Sequence, residues 1–236
     1  MMTNPPVRAD TPKARVVRCE IICRNTRMGR IVCVANQKGG VGKTTTASNV
    51  AAGLAKAGMQ TLLVDLDPQC NATTGLGGVP AKTHPLVSEA ALGENVVSTA
   101  VTNLSLLPGS RSVRDVERIA EQARAGSMVL SNHLSCGLNA WDYCLIDCPP
   151  SLGELTRTAL AGSTEVLMPI QCEYFALEGL TQMIEVIRDV MADQPGRLSF
   201  SGIVLTMHDA NLELTTEVER EVRDFFGEIV FDTVIP

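Results

Sequence analysis

Aromatic residues make up only 3% of the 236-residue chain, with one Trp, two Tyr and five Phe. That is too few to build a stacking platform for single-stranded nucleic acid. Long apolar runs are missing as well: none approaches the ~20 residues of a membrane-spanning helix, and the N-terminus has no apolar stretch ahead of a small-residue cleavage site. No stable membrane insertion is expected, and the chain reads as cytoplasmic. The eight cysteines (Cys19, Cys23, Cys33, Cys70, Cys136, Cys144, Cys148 and Cys172) contain no C-x-x-C and no Cys/His cluster at zinc spacing. Cys19 with Cys23 and Cys144 with Cys148 are the closest pairs, and reduced, packed thiols are the expectation. Positive charge is not in excess either. A formal charge of −6 disfavours coating of DNA by the whole surface, while a local basic patch stays open.

What is abundant is aliphatic. Apolar residues reach 45% with so few aromatics that the core must be Val, Ile, Leu and Ala, the composition of parallel strands buried on both faces. No Pro/Gly/Ser-rich linker divides the chain, so one α/β domain over residues 30–236 is expected: a doubly wound, mostly parallel sheet with helices on both faces. Residues 1–29 differ. The first 27 carry three prolines and six Arg/Lys against Asp10 and Glu20, with no sustained period. They read as a flexible basic N-terminal extension, with a nucleic-acid-touching arm as the alternative and Met28 as a possible true start.

Residues 31–46, IVCVANQKGGVGKTTT, organise the rest: an apolar strand runs into a glycine-rich loop and then a helix. Gly39, Gly40 and Gly42 let the backbone turn tightly and bring N–H groups to anionic oxygens, Lys43 adds a point charge, and the Thr44 hydroxyl suits Mg²⁺. Gly42-Lys43-Thr44 fits the second half of the phosphate-loop pattern, Gln37 stands where the leading glycine is usual, and a second lysine, Lys38, opens the turn. A helix over 44–57 should stop at Gly58, and a strand over 60–66 should deliver Asp65 and Asp67 beside the loop, where open parallel sheets bind ligands. Further strands are expected at 104–107, 141–147, 165–171, 203–207 and from 230. Charged residues from 113 to 125 read as an exposed helix laced with ion pairs, the alternative being that Arg111, Arg114 and Arg118 face DNA. Leu177, Leu180, Ile184, Ile187 and Met191 form a helical stripe expected in the core, and Asn211 should cap a helix ending at Gly227.

The K-G-G-V-G-K-T-T box resembles the deviant Walker A motif of the ParA/MinD family of dimerising P-loop ATPases. VDLDPQCNATTGLG, the Trp141–Pro150 stretch WDYCLIDCPP and the segment around Glu173-Tyr174-Phe175-Ala176-Leu177-Glu178-Gly179 resemble the family's other motifs, the last favouring its chromosome or plasmid partition branch. The resemblance implies an ATPase using ATP and Mg²⁺. It implies nucleotide contacts from Lys38, Gly39, Gly40, Val41, Gly42, Lys43, Thr44, Thr45 and Pro236, with Lys38 reaching the partner subunit's nucleotide. It further implies catalytic roles for Lys38, Lys43 and Asp67, the last positioning the attacking water, and Mg²⁺ held by Thr44, Asp65 and Asp147. The partners it implies are a second copy on ATP binding, nonspecific DNA and a centromere-binding ParB-like activator, with a cytoplasmic, nucleoid-associated location. Relatives continue past Val-Ile-Pro into helices that carry DNA-contacting basic residues, so the 236 residues are expected to lack those helices and to bind DNA weakly. The alternative on the same fold is a MinD-like membrane-switching positioning ATPase, which needs an amphipathic C-terminal helix.

Overall fold

The apolar run after Arg30 forms β1 (Arg30–Val34), which lies centrally in one eight-stranded sheet. The structure is a computed structural model and describes residues 29–88, 90–115, 141–173 and 176–236. After β1 come α1 (Lys43–Lys56), β2 (Thr61–Asp65), the short helices α2 (Asn71–Gly75) and α3 (Pro85–Ser88), β3 (Val97–Ser98) and β4 (Leu104–Leu107). The second half supplies β5 (Tyr143–Asp147), α4 (Glu154–Gly162), β6 (Glu165–Gln171), α5 (Ala176–Asp193), β7 (Ser199–Thr206), α6 (Glu213–Phe226) and β8 (Val230–Val234). The strand order is β3-β4-β2-β5-β1-β6-β7-β8. Every pairing is parallel except that of β3 with β4.

Alternation along each strand divides the core into two layers. Ile31 and Cys33, Leu62 and Val64, Cys144 and Ile146, Val166 and Met168, and Ile203 and Leu205 pack with α4, α5 and α6. Val32, Val34, Leu63, Leu145, Leu167 and Val204 pack with α1 on the other face. Ala47, Ala51 and Ala55 recur every fourth residue of α1, so its small-residue stripe lets the helix lie close to the sheet. The expected doubly wound architecture, aliphatic core and helices on both faces are thus borne out.

Two local expectations are corrected. Met191 is 38% exposed and Ile184 only half-buried, and α5 instead turns Leu180, Met183, Ile187 and Val190 onto the sheet. The true stripe runs i, i+3, i+7, i+10, and reading it one position late took in the exposed Met191 and placed Ile184, which packs only against the core's margin, at its centre. Asn211 caps no helix. Its N–H and Nδ2 both donate to Asp209 Oδ1, at 2.9 and 3.0 Å, in a turn, and α6 begins after Leu212 without a side-chain cap. Expectations for residues 1–28, Cys136, Arg118, the helix beyond residue 115 and the side chains of residues 174–179 lie outside the described residues. Arg111 and Arg114 are exposed.

At the amino edge of the sheet Arg30 clamps β1 to β6 through two hydrogen bonds to Glu165, of 2.6 and 2.5 Å. The guanidinium holds the Glu165 carboxyl below its ordinary range. A depressed folded value means stabilisation that is present above the unfolded value, about 4.3, and lost as pH falls through the folded one. Arg30 is 55% exposed, so screening limits the pair to roughly 0.5–1 kcal/mol. Glu165→Gln should therefore lower Tm by about 1–3 °C at pH 7, with the gap closing by pH 3. Melts at the two pH values check this, and a gap independent of pH would contradict it.

Candidate active site

The carboxyl ends of β2, β5 and β1 finish on one rung, where Asp65 and Val34 both sit opposite Asp147 in the parallel register. Asp65 and Asp147 share pleat parity with Leu63 and Leu145, which puts both carboxylates on the α1 side of the sheet. The loop leaving β1 rises over this edge. Gly40 and Gly42 have φ of +80° and +85°, left-handed values that favour glycine, and Gly42 opens α1. Gly42, Lys43 and Thr44 donate their N–H groups to no described protein acceptor, so the start of α1 presents free donors and its positive dipole end. Gly39, Gly40 and Thr45 are exposed, Thr44 is half-buried and Val41 is buried.

Lys43 is only 6% exposed, and its Nζ donates to the Lys38 carbonyl at 2.7 Å. Burial lowers its pKa, while Asp147 and Asp67 attract the ammonium. Lys38, by contrast, is partly exposed at the head of the loop and forms an ion pair with Glu173 beyond β6.

The three acids behave differently. Asp65 is fully buried with its oxygens occupied: Oδ2 accepts from Thr73 N–H at 2.8 Å and Thr73 Oγ1 at 2.6 Å, and Oδ1 accepts from Asp67 N–H at 3.2 Å. Gly109 closes the pocket, donating its N–H to Thr73 Oγ1 at 2.8 Å, and a Cβ there would come within 2.8 Å of the carboxylate carbon. Burial raises the Asp65 pKa, with the Thr73 hydrogen bonds opposing it. Asp147 is equally buried, but neither oxygen has a hydrogen-bond donor among the described residues. Thr44 faces it closely enough to ease its ionisation, yet outside hydrogen-bonding geometry. Burial dominates and pushes Asp147 up to about 7, with Asp65 and Asp67 adding repulsion. Asp67 is nearly buried and accepts from Gln69 N–H at 2.8 Å.

A buried carboxylate with open acceptor sites beside a hydroxyl and a helix N-terminus fits a hydrated divalent cation bridged to phosphate. Asp147 and Thr44 have that donor character, whereas Asp65 braces the Asp67 loop through Thr73. Among the described residues no three His, Cys, Asp or Glu side chains gather as a metal cluster. Pro236 is exposed after β8, and hydrogen bonds of Ile235 to Leu205 and of His208 to Ile235 bring that end to the same sheet edge as the loop.

Sequence reasoning passed over Asn36 and Thr206, and it gave Thr73 and Glu173 no role beyond their place in the quoted motifs. Asn36 Nδ2 donates to the Pro169 carbonyl at 2.7 Å and its Oδ1 accepts from Lys38 N–H at 3.0 Å, which ties the rising limb of the loop to β6. The one signal available was a polar residue ending an apolar strand.

Comparison with known proteins agrees with this geometry. Residues 29–200 match the model of an AAA domain family. The chromosome-partitioning ATPase Soj of Treponema pallidum is 45% identical over 89% of this chain and 83% of its own length. The sporulation initiation inhibitor protein Soj of Bacillus subtilis is 42% identical over 89% and 85%. Among solved structures, a Mycobacterium smegmatis protein described as cobyrinic acid a,c-diamide synthase, with bound ADP and magnesium, superposes with TM-score 0.82 at 34% identity, covering 89% of this chain and 87% of that one. A plasmid partition protein from Borrelia burgdorferi shares the fold at TM-score 0.70 and 21% identity, over 88% of each chain. The resemblance seen in the K-G-G-V-G-K-T-T box is borne out: this chain belongs to the Soj/ParA family of chromosome-partitioning ATPases.

Proposed function

We propose that this ATPase works as an ATP-switched dimer in chromosome or plasmid partition, and that one observation carries the reading: the open carboxylate of Asp147 facing Thr44 at the free N-terminus of α1, with Lys43 buried beside it. In this reading the loop N–H groups and Lys43 hold the β- and γ-phosphates of ATP, and the Val234–Pro236 end lies toward the adenine. Thr44 and Asp147 would hold Mg²⁺, which supplies neutralisation of phosphate charge. Asp65, through Thr73 and the Asp67 N–H, fixes the loop on which Asp67 orients water for in-line attack. Lys38 leaves Glu173 to reach across to the nucleotide of the second copy, so ATP closes the dimer and loss of the γ-phosphate releases it.

The ATP-bound dimer binds duplex DNA nonspecifically in the nucleoid, and a ParB-like activator at the cargo stimulates hydrolysis. Six of the twenty Lys/Arg lie in residues 1–27, leaving 14 against 24 Asp/Glu, so DNA affinity of these residues is expected to be weak. No described helix is long and apolar enough to cross a membrane.

The test is sedimentation velocity with ATP and Mg²⁺ on the parent and on Lys38→Ala, alongside phosphate release. The parent should dimerise. Lys38→Ala, which leaves Lys43 and the loop N–H groups in place, should bind ATP within about threefold of the parent, stay monomeric and lose at least tenfold in turnover. Dimers that form normally and hydrolyse normally without Lys38 would overturn the switch.

A further inference from the structure

Thr206 ends β7 as a hydroxyl after the apolar run Ile203 to Leu205, and it is 3% exposed. Its Oγ1 donates to the carbonyl of Val41, at 2.9 Å and 165 positions away in sequence. Its methyl group lies 3.8 Å from where a Cβ on Gly42 would stand. The side chain therefore grips one peptide unit of the phosphate loop, Val41–Gly42, from beneath.

That grip has a directional consequence. In a trans peptide the C=O and N–H of one unit point in opposite directions in one plane. Fixing the Val41 carbonyl onto Thr206 therefore aims the Gly42 N–H away from β7, toward the concave side of the loop, where it has no acceptor among the described residues. The same bond takes the Val41 carbonyl out of the helix. The first helical bond of α1 is Thr46 N–H to the Gly42 carbonyl, at 2.8 Å, so the N–H groups of Lys43 and Thr44 also stay free. Gly42 is left-handed, and without the anchor this flexible unit can rotate and turn a carbonyl oxygen toward the phosphates, which repels them.

We infer that Thr206 is a positioning residue for the ATPase reaction: its hydroxyl locks the Val41–Gly42 peptide so that the loop meets a nucleoside di- or triphosphate with N–H groups. It touches no phosphate itself. With Asn36 holding the rising limb to β6, Thr206 holds the descending limb to β7, so the loop is braced from two neighbouring strands. The inference rests on the reading of the loop as the ATP site.

The experiment compares Thr206→Val, which keeps the branched shape and methyl contact but removes the donor, with Thr206→Ser, which keeps the donor. ADP with Mg²⁺ is titrated calorimetrically, and KM and kcat for ATP and Tm are measured on the same preparations. Thr206→Val should weaken ADP binding about tenfold and raise KM similarly, with kcat close to the parent's and Tm a few degrees lower because the buried Val41 carbonyl loses its donor. Thr206→Ser should bind within about twofold of the parent. Should Thr206→Val fail to fold, Thr206→Ser against Thr206→Ala makes the same comparison, since the two differ by one hydroxyl. Parental affinity without the hydroxyl, or a Ser variant as weak as the Val variant, overturns the assignment. A parent that binds no ADP overturns the ATP-site reading itself, and this inference with it.

Discussion

Lys43→Ala should lose at least a hundredfold in affinity for ADP–Mg²⁺ while remaining folded. The Lys43 ammonium is almost fully buried at the base of the loop, with its pKa lowered by burial and its charge drawn to Asp147 and Asp67. Its bond to the Lys38 carbonyl holds the side chain under the loop in the absence of ligand. Phosphate arriving at the loop thus meets a cation already desolvated and positioned, where a charge-assisted bond is worth about 1.5–3 kcal/mol. At the upper end of that range a single contact to the β-phosphate of ADP reaches the hundredfold loss, at 1.4 kcal/mol per decade. Folding should survive because Asp147, whose pKa is already about 7, can take up a proton once its nearest cation is gone. Calorimetry decides the matter: unchanged ADP affinity in the alanine variant would remove Lys43 from the site.

Much of this was legible because it is local. The strand–loop–helix succession of residues 30–56 has its signals in a single window: an apolar run, glycines where φ turns positive, then an alanine-rich helix stopped by Gly58. Asp65, Asp67 and Asp147 could be placed at the carboxyl edge because each ends an apolar strand. The roles within that trio were harder to read. Asp65 differs from Asp147 through Thr73 and Gly109, and the latter lies 44 positions away on another strand's exit. The braces of the loop were hidden for the same reason: Asn36 with Pro169, Lys38 with Glu173 and Val41 with Thr206 each span more than 130 positions. Periodicity failed at α5, where apolar side chains surround enough of the helix that two stripes compete, and only the sheet beneath selects Met183 and Val190 over Ile184 and Met191. The two-residue antiparallel β3 was too short to show any alternation.

Asp67→Ala should separate binding from hydrolysis. Its carboxylate contributes one local hydrogen bond, accepting from Gln69 N–H at 2.8 Å. Its backbone N–H is held independently by Asp65, Asp65 by Thr73, and Thr73 in turn by the Gly109 N–H. Truncating the side chain therefore removes a turn contact and leaves the course of the loop to that buried chain. Lys43, Thr44 and Asp147 lose no hydrogen-bond partner, and removing one of the two carboxylates that repel Asp147 favours its charged form. Mg²⁺ and ATP should accordingly bind within about threefold of the parent. Hydrolysis should fall by at least a hundredfold, within the 10²–10⁴ range for losing a group that manages the proton or the position of an attacking water. ATP-bound dimers should then accumulate, because release waits on loss of the γ-phosphate. Asp67→Asn serves as the control: it keeps an oxygen for Gln69 N–H and removes only the charge, so equal loss in both variants assigns the effect to the carboxylate's charge rather than to the turn. Phosphate release at saturating ATP, read with sedimentation of the same samples, gives the answer. Turnover at the parental rate would take the water-positioning role from Asp67, and a matching loss of ATP affinity would show that the Asp67 loop helps to hold the phosphates.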